Sequence, residues 1–246
     1  ILFITATPIP RTLQQAIYGD IECSILREKP KCRLPVTTVA VSIKKTESII
    51  ERLKDAISKG EKAYWICPYI QENEDFNIAA AEIRFQELQK ALSCKVGIVH
   101  GRLTQEQKDQ VMFSFKRGEI DLLVATTVIE VGIDIPDATI MIIENAELFG
   151  LSQLHQLRGR VGRGTKTSFC VLLYNNLNKN AYSKLKIMRE SRDGFYIAEK
   201  DMMLRGSGGI LGTKQSGHME FKFADLYKDK ELFDLAYSDA QHTTSA

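Results

Sequence analysis

Short apolar stretches alternate with amphipathic stretches between residues 36 and 174 of this chain. Most of the apolar stretches are continuous, which is typical of strands that are covered on both faces of a sheet. They are too short for helices and are rich in valine and isoleucine. They predict strands at residues 36–42, 63–67, 96–99, 122–125, 140–143 and 168–174.

The amphipathic stretches carry helix start and stop signals. Thr46 precedes apolar residues spaced three and four apart, and Gly60 follows the last of them, which predicts a helix that is capped by Thr46. Thr104 and Gln107 have the spacing of a capping box, and Gly118 marks the end of that helix. Further helices are predicted at residues 77–92, 178–192 and 196–204.

Strands that alternate with helices of this length predict an α/β fold built on a doubly wound parallel sheet. Ligands of such sheets bind at the carboxyl ends of the strands. His100 and Gly101 follow the strand at 96–99, and Thr126 follows the strand at 122–125. We therefore expect functional side chains at this edge of the sheet.

The composition is that of a globular protein with a hydrophobic core. Of the 246 residues, 44% are hydrophobic and 26% are charged. No apolar run approaches the roughly 20 residues that span a bilayer, and residues 1–6 do not resemble a signal peptide. The five cysteines lie far apart and form no C-x-x-C pair. These features argue against a zinc site or a disulfide framework, and we expect a cytoplasmic protein.

Positive charge is concentrated in one part of the chain. Residues 152–218 hold twelve Lys and Arg against four Asp and Glu, although the net charge of the whole chain is only +2. Such a segment indicates a polyanion partner, although a lysine-rich solvated helix is an alternative. Half of the twelve cations are arginines, which favours phosphate contacts by Arg158, Arg160, Arg163, Arg189, Arg192 and Arg205.

Residues 153–163 read Gln-Leu-His-Gln-Leu-Arg-Gly-Arg-Val-Gly-Arg. Planar guanidinium groups suit phosphate oxygens, and glycines let the backbone approach a ligand closely. The pattern Q-x-x-G-R-x-G-R resembles motif VI of the superfamily 2 helicases, and we call residues 153–163 the motif VI segment. An R-x-x-R pair alone would equally suit a solvated helix face.

The resemblance implies a RecA-like domain of the P-loop NTPase fold, with ATP bound in a cleft between two such domains. Arg163 is then the arginine finger on the γ-phosphate, and Arg160 supports it. Gln156 would position water or phosphate, and Gly159 would lie close to the nucleotide.

Residues 126–136, Thr-Thr-Val-Ile-Glu-Val-Gly-Ile-Asp-Ile-Pro, follow a predicted strand. Hydroxyl and backbone N–H groups at a helix start can hold phosphates, and an aspartate can accept hydrogen bonds from a ribose. The segment resembles helicase motif V. This implies that Thr126, Thr127 and Glu130 lie at the face that meets the DNA backbone and the other domain, and that Gly132 and Asp134 bind the nucleotide. A capped helix followed by a turn is the alternative.

His100 with Gly101 resembles the short helicase motif IVa, which implies a DNA contact. A histidine at the end of a strand is as often a residue with satisfied internal contacts. Residues 5–13, Thr-Ala-Thr-Pro-Ile-Pro-Arg-Thr-Leu, resemble motif III, which ends the first RecA-like domain of these helicases. No G-x-x-x-x-G-K-[ST] or D-E-x-H sequence occurs in the chain. We therefore expect the ligands of Mg²⁺ on a first motor domain outside these residues, and we expect the chain alone to be inactive as an ATPase.

The last third of the chain combines two predicted helices with a dense set of glycines. Five of the sixteen glycines fall between residues 206 and 217, together with Lys214 and Gln215 and directly after Arg205. This predicts a helical hairpin followed by a loop with unusual dihedral angles, and a flexible surface loop is the alternative.

The hairpin and loop resemble the TRG element of the RecG family, which the transcription-repair coupling factor Mfd shares. Residues 212–217, Gly-Thr-Lys-Gln-Ser-Gly, are close to the RecG pattern G-T-R-Q-[ST]-G, and residues 220–226 are similar to its continuation E-F-K-V-A-D-L. Lys214 replaces the usual arginine, which keeps the charge but loses the bidentate geometry, and Ser207 stands where proline is common. The resemblance implies that Arg205, Lys214 and Gln215 couple the motor to DNA.

The resemblance also implies a domain organisation. Residues 1–13 would be the last strand and motif III of the first RecA-like domain, and 14–33 a connector. Residues 34–175 would form the second RecA-like domain, and 176–246 the TRG hairpin, its loop and the C-terminal tail.

The RecG family implies an ATP- and Mg²⁺-dependent translocase on double-stranded DNA that regresses stalled forks and processes Holliday junctions. Its partners would be branched DNA, the wedge and first motor domains of the same protein, and a single-stranded DNA-binding protein, at the bacterial nucleoid. Two alternatives remain: the motor of Mfd, against which residues 220–226 argue, and a non-catalytic DNA-binding domain.

Overall fold

The computed structural model describes residues 33–68, 74–126 and 135–210, together with Leu232, Leu235, Ala236 and Asp239. The chain divides into two compact units, residues 29–192 and residues 1–28 with 193–246. The predicted motif III, most of the connector, residues 127–134 of motif V and residues 211–226 lie outside the described residues.

The larger unit is built on a sheet of six parallel strands in the order β1-β6-β5-β2-β4-β3. This arrangement confirms the predicted doubly wound parallel sheet. The bounds of the strands lie within two residues of the prediction. They are β1 Thr37–Ser42, β2 Lys62–Ile66, β3 Val96–Val99, β4 Leu122–Ala125, β5 Ala138–Ile143 and β6 Phe169–Tyr174.

Helices connect these strands and cover both faces of the sheet, as a parallel topology requires. In this unit they are α1 Thr46–Ser58, α2 Glu74–Ala91, α3 Gln105–Arg117, α4 Leu151–Arg158 and α5 Lys179–Glu190. The second unit contributes α6 Gly194–Ile210. No helix in the described ranges is both long enough and apolar enough to cross a bilayer.

The central strands β2 and β4 are buried along their whole length. Trp65 of β2 and Leu122 and Val124 of β4 have no exposed surface. They belong to one core cluster with Leu53 of α1 and Leu88 of α2. The continuous apolar pattern of these strands follows from burial on both faces.

The helix signals were correct in one case and partly wrong in another. Thr104 accepts from the backbone N–H of Gln107 at 3.3 Å and its own N–H donates to Oε1 of Gln107 at 3.0 Å, which confirms the capping box of α3. Thr46, in contrast, is the first residue of α1, and its hydroxyl donates to the carbonyl of Ile43 at 2.5 Å. The predicted cap is wrong because a 3₁₀ turn at Ile43–Lys45 precedes α1 and supplies its entry.

Both helices of the predicted hairpin are present, and the second is longer than predicted. The side chain of Asn178 caps α5 through the N–H of Ala181 at 2.8 Å, and Asp193 accepts from the N–H of Phe195 at the start of α6. Helix α6 continues to Ile210, so the predicted loop does not begin at residue 206. A glycine costs a helix only about 1 kcal/mol, and no proline stands here to end it.

Candidate functional site

The motif VI segment begins on α4 and ends beside the amino ends of two strands, β1 and β5. A Cβ on Gly162 would lie 2.6 Å from Cγ2 of Val36, just before β1, and a Cβ on Gly164 would lie 2.8 Å from the carbonyl oxygen of Pro136, just before β5. Helix α4 starts beyond the carboxyl end of β5 and crosses back, so its far end must lie at the opposite edge. We expected functional side chains at the carboxyl ends of the strands, but Arg160 and Arg163 lie at the opposite edge of the sheet.

Close packing fixes the backbone of this segment. Gly162 has a φ of +70°, a conformation that disfavours L side chains. Its carbonyl accepts from Nε of Arg33 at 2.8 Å, and Nη2 of the same arginine lies 3.4 Å from the carbonyl of Gly159. The sequence predicts a connector at Arg33 and gives no sign of this role, because the two partners are more than 120 residues away in sequence.

The three arginines of the segment lie in different environments. Arg163 is exposed, and its Nε donates to the carbonyl of Gly159 at 3.1 Å. Arg160 is half-buried, as is Gln156 on α4. Arg158 is only 4% exposed. Arg163 and Arg160 are therefore the arginines that remain accessible to a ligand.

The predicted phosphate contact is wrong for Arg158. Its Nη1 donates to the carbonyls of Met188 at 2.7 Å and Ser191 at 2.9 Å, both at the end of α5. Its Nη2 lies 3.0 Å from Nδ1 of His155. Burial lowers the pKa of Arg158 below its ordinary value. This arginine stabilises the junction of two helices.

The other end of α4 is also joined to α5. Nζ of Lys184 on α5 donates to the carbonyls of Glu147 at 2.5 Å and Phe149 at 3.0 Å, which lie just before α4. The carboxylate of Glu147 accepts from the backbone N–H groups of Asn175 and Asn176 at 3.0 and 3.2 Å. Helix α4 is thus joined to α5 at both of its own ends.

The site residues at the carboxyl edge of the sheet are buried. Thr126 is 1% exposed, and its N–H donates to the carbonyl of Val99 at 3.2 Å. His100 is 7% exposed, and its Nε2 lies 3.9 Å from Oε1 of Glu82. Each residue directly follows its strand, as predicted, and the two strands are neighbours in the sheet. A contact of either residue with DNA stays a prediction.

A buried carboxylate near this edge was not predicted. Oε1 of Glu144, which follows β5, accepts from Nε1 of Trp65 at 2.7 Å and forms an ion pair with Nε of Arg84 at 2.5 Å. The guanidinium of Arg84 lies 5.7 Å from the centre of the Trp65 ring. Burial raises the pKa of Glu144, and Arg84 and Trp65 oppose that shift. The cluster joins α2 to the central strands.

Six of the remaining predicted site residues lie outside the described residues: Thr127, Glu130, Gly132, Asp134, Lys214 and Gln215. Arg205 lies on α6, but its side chain is not described. Among the described residues, no group of three or more His, Cys, Asp and Glu could hold a metal ion.

Comparison with known families accounts for most of the chain. Residues 44–165 match the helicase conserved C-terminal domain, and residues 191–245 match the ATP-dependent DNA helicase RecG, domain 3, C-terminal. The chain is 52% identical to the ATP-dependent DNA helicase RecG of Escherichia coli K12 over 244 residues, which is 98% of this chain and 35% of that protein. This chain belongs to the RecG family.

Other RecG proteins agree with this assignment. The RecG of Pasteurella multocida is 51% identical over 94% of the chain and 34% of its own length. A solved structure of RecG bound to a three-way DNA junction has a TM-score of 0.73, at 42% identity over 93% of this chain and 30% of that one. The chain therefore spans about a third of the length of its RecG relatives.

More distant helicases share the fold alone. The yeast protein Dbp5, solved with RNA and ADP BeF3, covers 82% of the chain with a TM-score of 0.55 at 15% identity. Such a likeness supports the RecA-like architecture and leaves the substrate open. The RecG relatives, in contrast, favour RecG over the transcription-repair coupling factor.

Proposed function

We propose that this chain is the second RecA-like motor domain and the TRG hairpin of an ATP-dependent helicase that translocates on double-stranded and branched DNA. The observation that carries the proposal is the exposure of Arg163 on a backbone that other residues hold in place. Arg163 is exposed at the end of a segment whose backbone is held by Arg33 and by close packing at Gly162. An exposed arginine on a fixed backbone suits a group that must meet a phosphate at one position.

The chemistry in this proposal is phosphoryl transfer by positioning and charge neutralisation. Arg163 contacts the γ-phosphate as charge develops on it, and Arg160 supports that contact. Gln156 orients water or phosphate, and Gly159, with Gly132 and Asp134 of motif V, lines the nucleotide. Magnesium would neutralise phosphate charge, and we place its ligands on the first RecA-like domain of the full-length protein.

The DNA side of the proposal rests on charge and on the family. The basic segment 152–218 suits a polyanion. Thr126, Thr127, Glu130 and His100 would face the DNA backbone and the other motor domain, and Arg205, Lys214 and Gln215 would pass motion to the duplex. The substrates would be stalled forks and Holliday junctions, and the partners the wedge domain and a single-stranded DNA-binding protein at the bacterial nucleoid.

The test uses the full-length protein and a labelled three-way DNA junction. ATP should drive separation of the junction arms, and Arg163→Ala should abolish that reaction while junction binding stays within about threefold of the wild type. Both are measured at one stated salt concentration, because phosphate contacts weaken steeply with salt. Junction separation that is independent of ATP, or unaffected by Arg163→Ala, would contradict the proposal.

A further inference from the structure

Arg158 is a buried cation whose contacts are carbonyl and side-chain groups of two helices and a strand. The guanidinium donates to Met188 and Ser191 at the end of α5, and Nη1 lies 3.4 Å from the hydroxyl of Thr38 in β1. Since arginine has donors only, the contact with His155 requires that Nδ1 of this histidine accepts. Four groups from three elements therefore converge on one side chain.

The end of α5 supplies what a buried cation needs. Removing a charge from water is costly unless it is compensated. The last carbonyls of a helix have no partners within the helix, and they carry the negative end of its dipole. Arg158 satisfies the carbonyl of Met188 and reaches that of Ser191, just beyond the final residue Glu190 of α5. The cation and the helix end each supply the contacts that the other lacks.

Arg158 is also the last residue of α4, from which the accessible arginines follow. Arg160 and Arg163 come two and five residues later. Beyond Arg158, the backbone is held by Arg33 at Gly159 and Gly162. The contacts of Arg158 therefore hold the beginning of the stretch that carries the accessible arginines, and the contacts of Arg33 hold the backbone that follows.

We propose that Arg158 is a positioning residue for ATP turnover, which fixes the end of α4 against the end of α5 so that Arg160 and Arg163 reach the nucleotide. This inference rests on the proposed function and assigns Arg158 no contact with ATP. A displacement of about 1 Å in a group that acts on the reacting phosphate can cost about 100-fold in rate. Loss of the Arg158 contacts should therefore lower turnover far more than nucleotide binding.

The experiment compares Arg158→Met and Arg158→Lys with wild type in the full-length protein. Methionine fills most of the volume without a charge, and lysine keeps the charge but cannot hold both carbonyls and His155 in one plane. Arg52→Met, an exposed arginine on α1, is the matched control. DNA-dependent kcat and KM for ATP are measured per folded molecule, well below the thermal midpoint of each variant.

We expect kcat to fall about 100-fold in Arg158→Met and about tenfold in Arg158→Lys, with KM within about threefold of wild type. Arg52→Met should match wild type. A purely structural residue would instead lower the folded fraction and leave kcat per folded molecule unchanged, and that result would overturn the proposal.

Three further outcomes are decisive. If Arg158→Met does not fold, Arg158→Lys carries the test, and wild-type kcat in that variant would overturn the proposal. Failure of both variants to fold would make Arg158 a stability residue and also overturn it. Wild-type turnover in Arg163→Ala, measured alongside, would instead reject the proposed function itself.

Discussion

The Nε of Arg33 donates a 2.8 Å hydrogen bond to the carbonyl oxygen of Gly162, although 129 residues separate them in sequence. Gly162 is the glycine of the motif VI segment with a positive φ, and Val36 fills the space where its side chain would be. This contact ties the end of the motif VI segment to the residues that lead into β1. The placement of Arg163 thus depends on the stretch before the first strand as well as on its own helix.

Gly162→Ala should destabilise the protein by more than the backbone strain alone. The left-handed conformation costs an L residue about 1–2 kcal/mol, and a Cβ 2.6 Å from Val36 adds about 1–3 kcal/mol of overpacking. The control is Gly60→Ala, since Gly60 has a φ of +80° and no atom within 4 Å of its Cβ position. Urea denaturation gives both free energies of unfolding. Equal losses in the two variants would show that Val36 gives way at no cost.

Glu144 should make stability depend on pH. Because burial raises its pKa above the ordinary value of 4.5, the folded chain holds the proton more tightly than the unfolded chain. Its contribution is fully present below about pH 4.5 and is lost as the pH rises through the folded-state pKa. Glu144→Gln should remove this decline from the dependence of the free energy of unfolding on pH above about 4.5.

Trp65 offers a direct probe of the same carboxylate. It is the only tryptophan of the 246 residues, and its indole N–H donates to Glu144. Its fluorescence should titrate with a midpoint above 4.5 in this chain, and Glu144→Gln should abolish that transition. A midpoint below 4.5 would mean that Arg84 outweighs burial.

Gln215→Ala should separate ATP hydrolysis from movement. Gln215 lies outside the motif VI segment, and the family resemblance places it on a loop that couples the motor to DNA. In the full-length protein we expect junction unwinding to fall at least about tenfold, while DNA-dependent ATP hydrolysis stays within about threefold. Gln89→Ala, on the exposed face of α2, serves as the control. A proportional loss of both activities would place Gln215 in the ATP site, and no loss would favour a flexible surface loop.

The sequence predicted the sheet well because burial on both faces leaves a local mark. Each parallel strand must be apolar along its length, and β2 and β4 are buried at every position. The capping box of α3 was predictable for the same reason, since all of its groups lie within four residues. The position of Thr46 within α1 could not be predicted from its neighbours, because the 3₁₀ turn before it leaves no distinct pattern in the sequence.

The sequence predicted which residue types occur in the candidate site, but it could not predict which of the arginines would be buried and which exposed. Arg158 and Arg163 are five positions apart in the same motif, yet one is buried and the other exposed. The difference comes from Met188 and Ser191, which are 30 and 33 residues away from Arg158 in sequence. The glycines between residues 206 and 209 predicted a loop, but their low helix propensity was too weak to end α6.

Turnover by Arg163→Lys in the full-length protein tests the assignment of Arg163 as the arginine finger. Lysine keeps the charge but loses the planar fork, and the contact with the γ-phosphate strengthens as the transition state forms. We expect DNA-dependent kcat to fall by about 10³-fold or more, with the affinity for a non-hydrolysable ATP analogue within about threefold of wild type. Arg52→Lys should change neither value. Turnover by Arg163→Lys within a few-fold of wild type would contradict the assignment of Arg163 as the arginine finger.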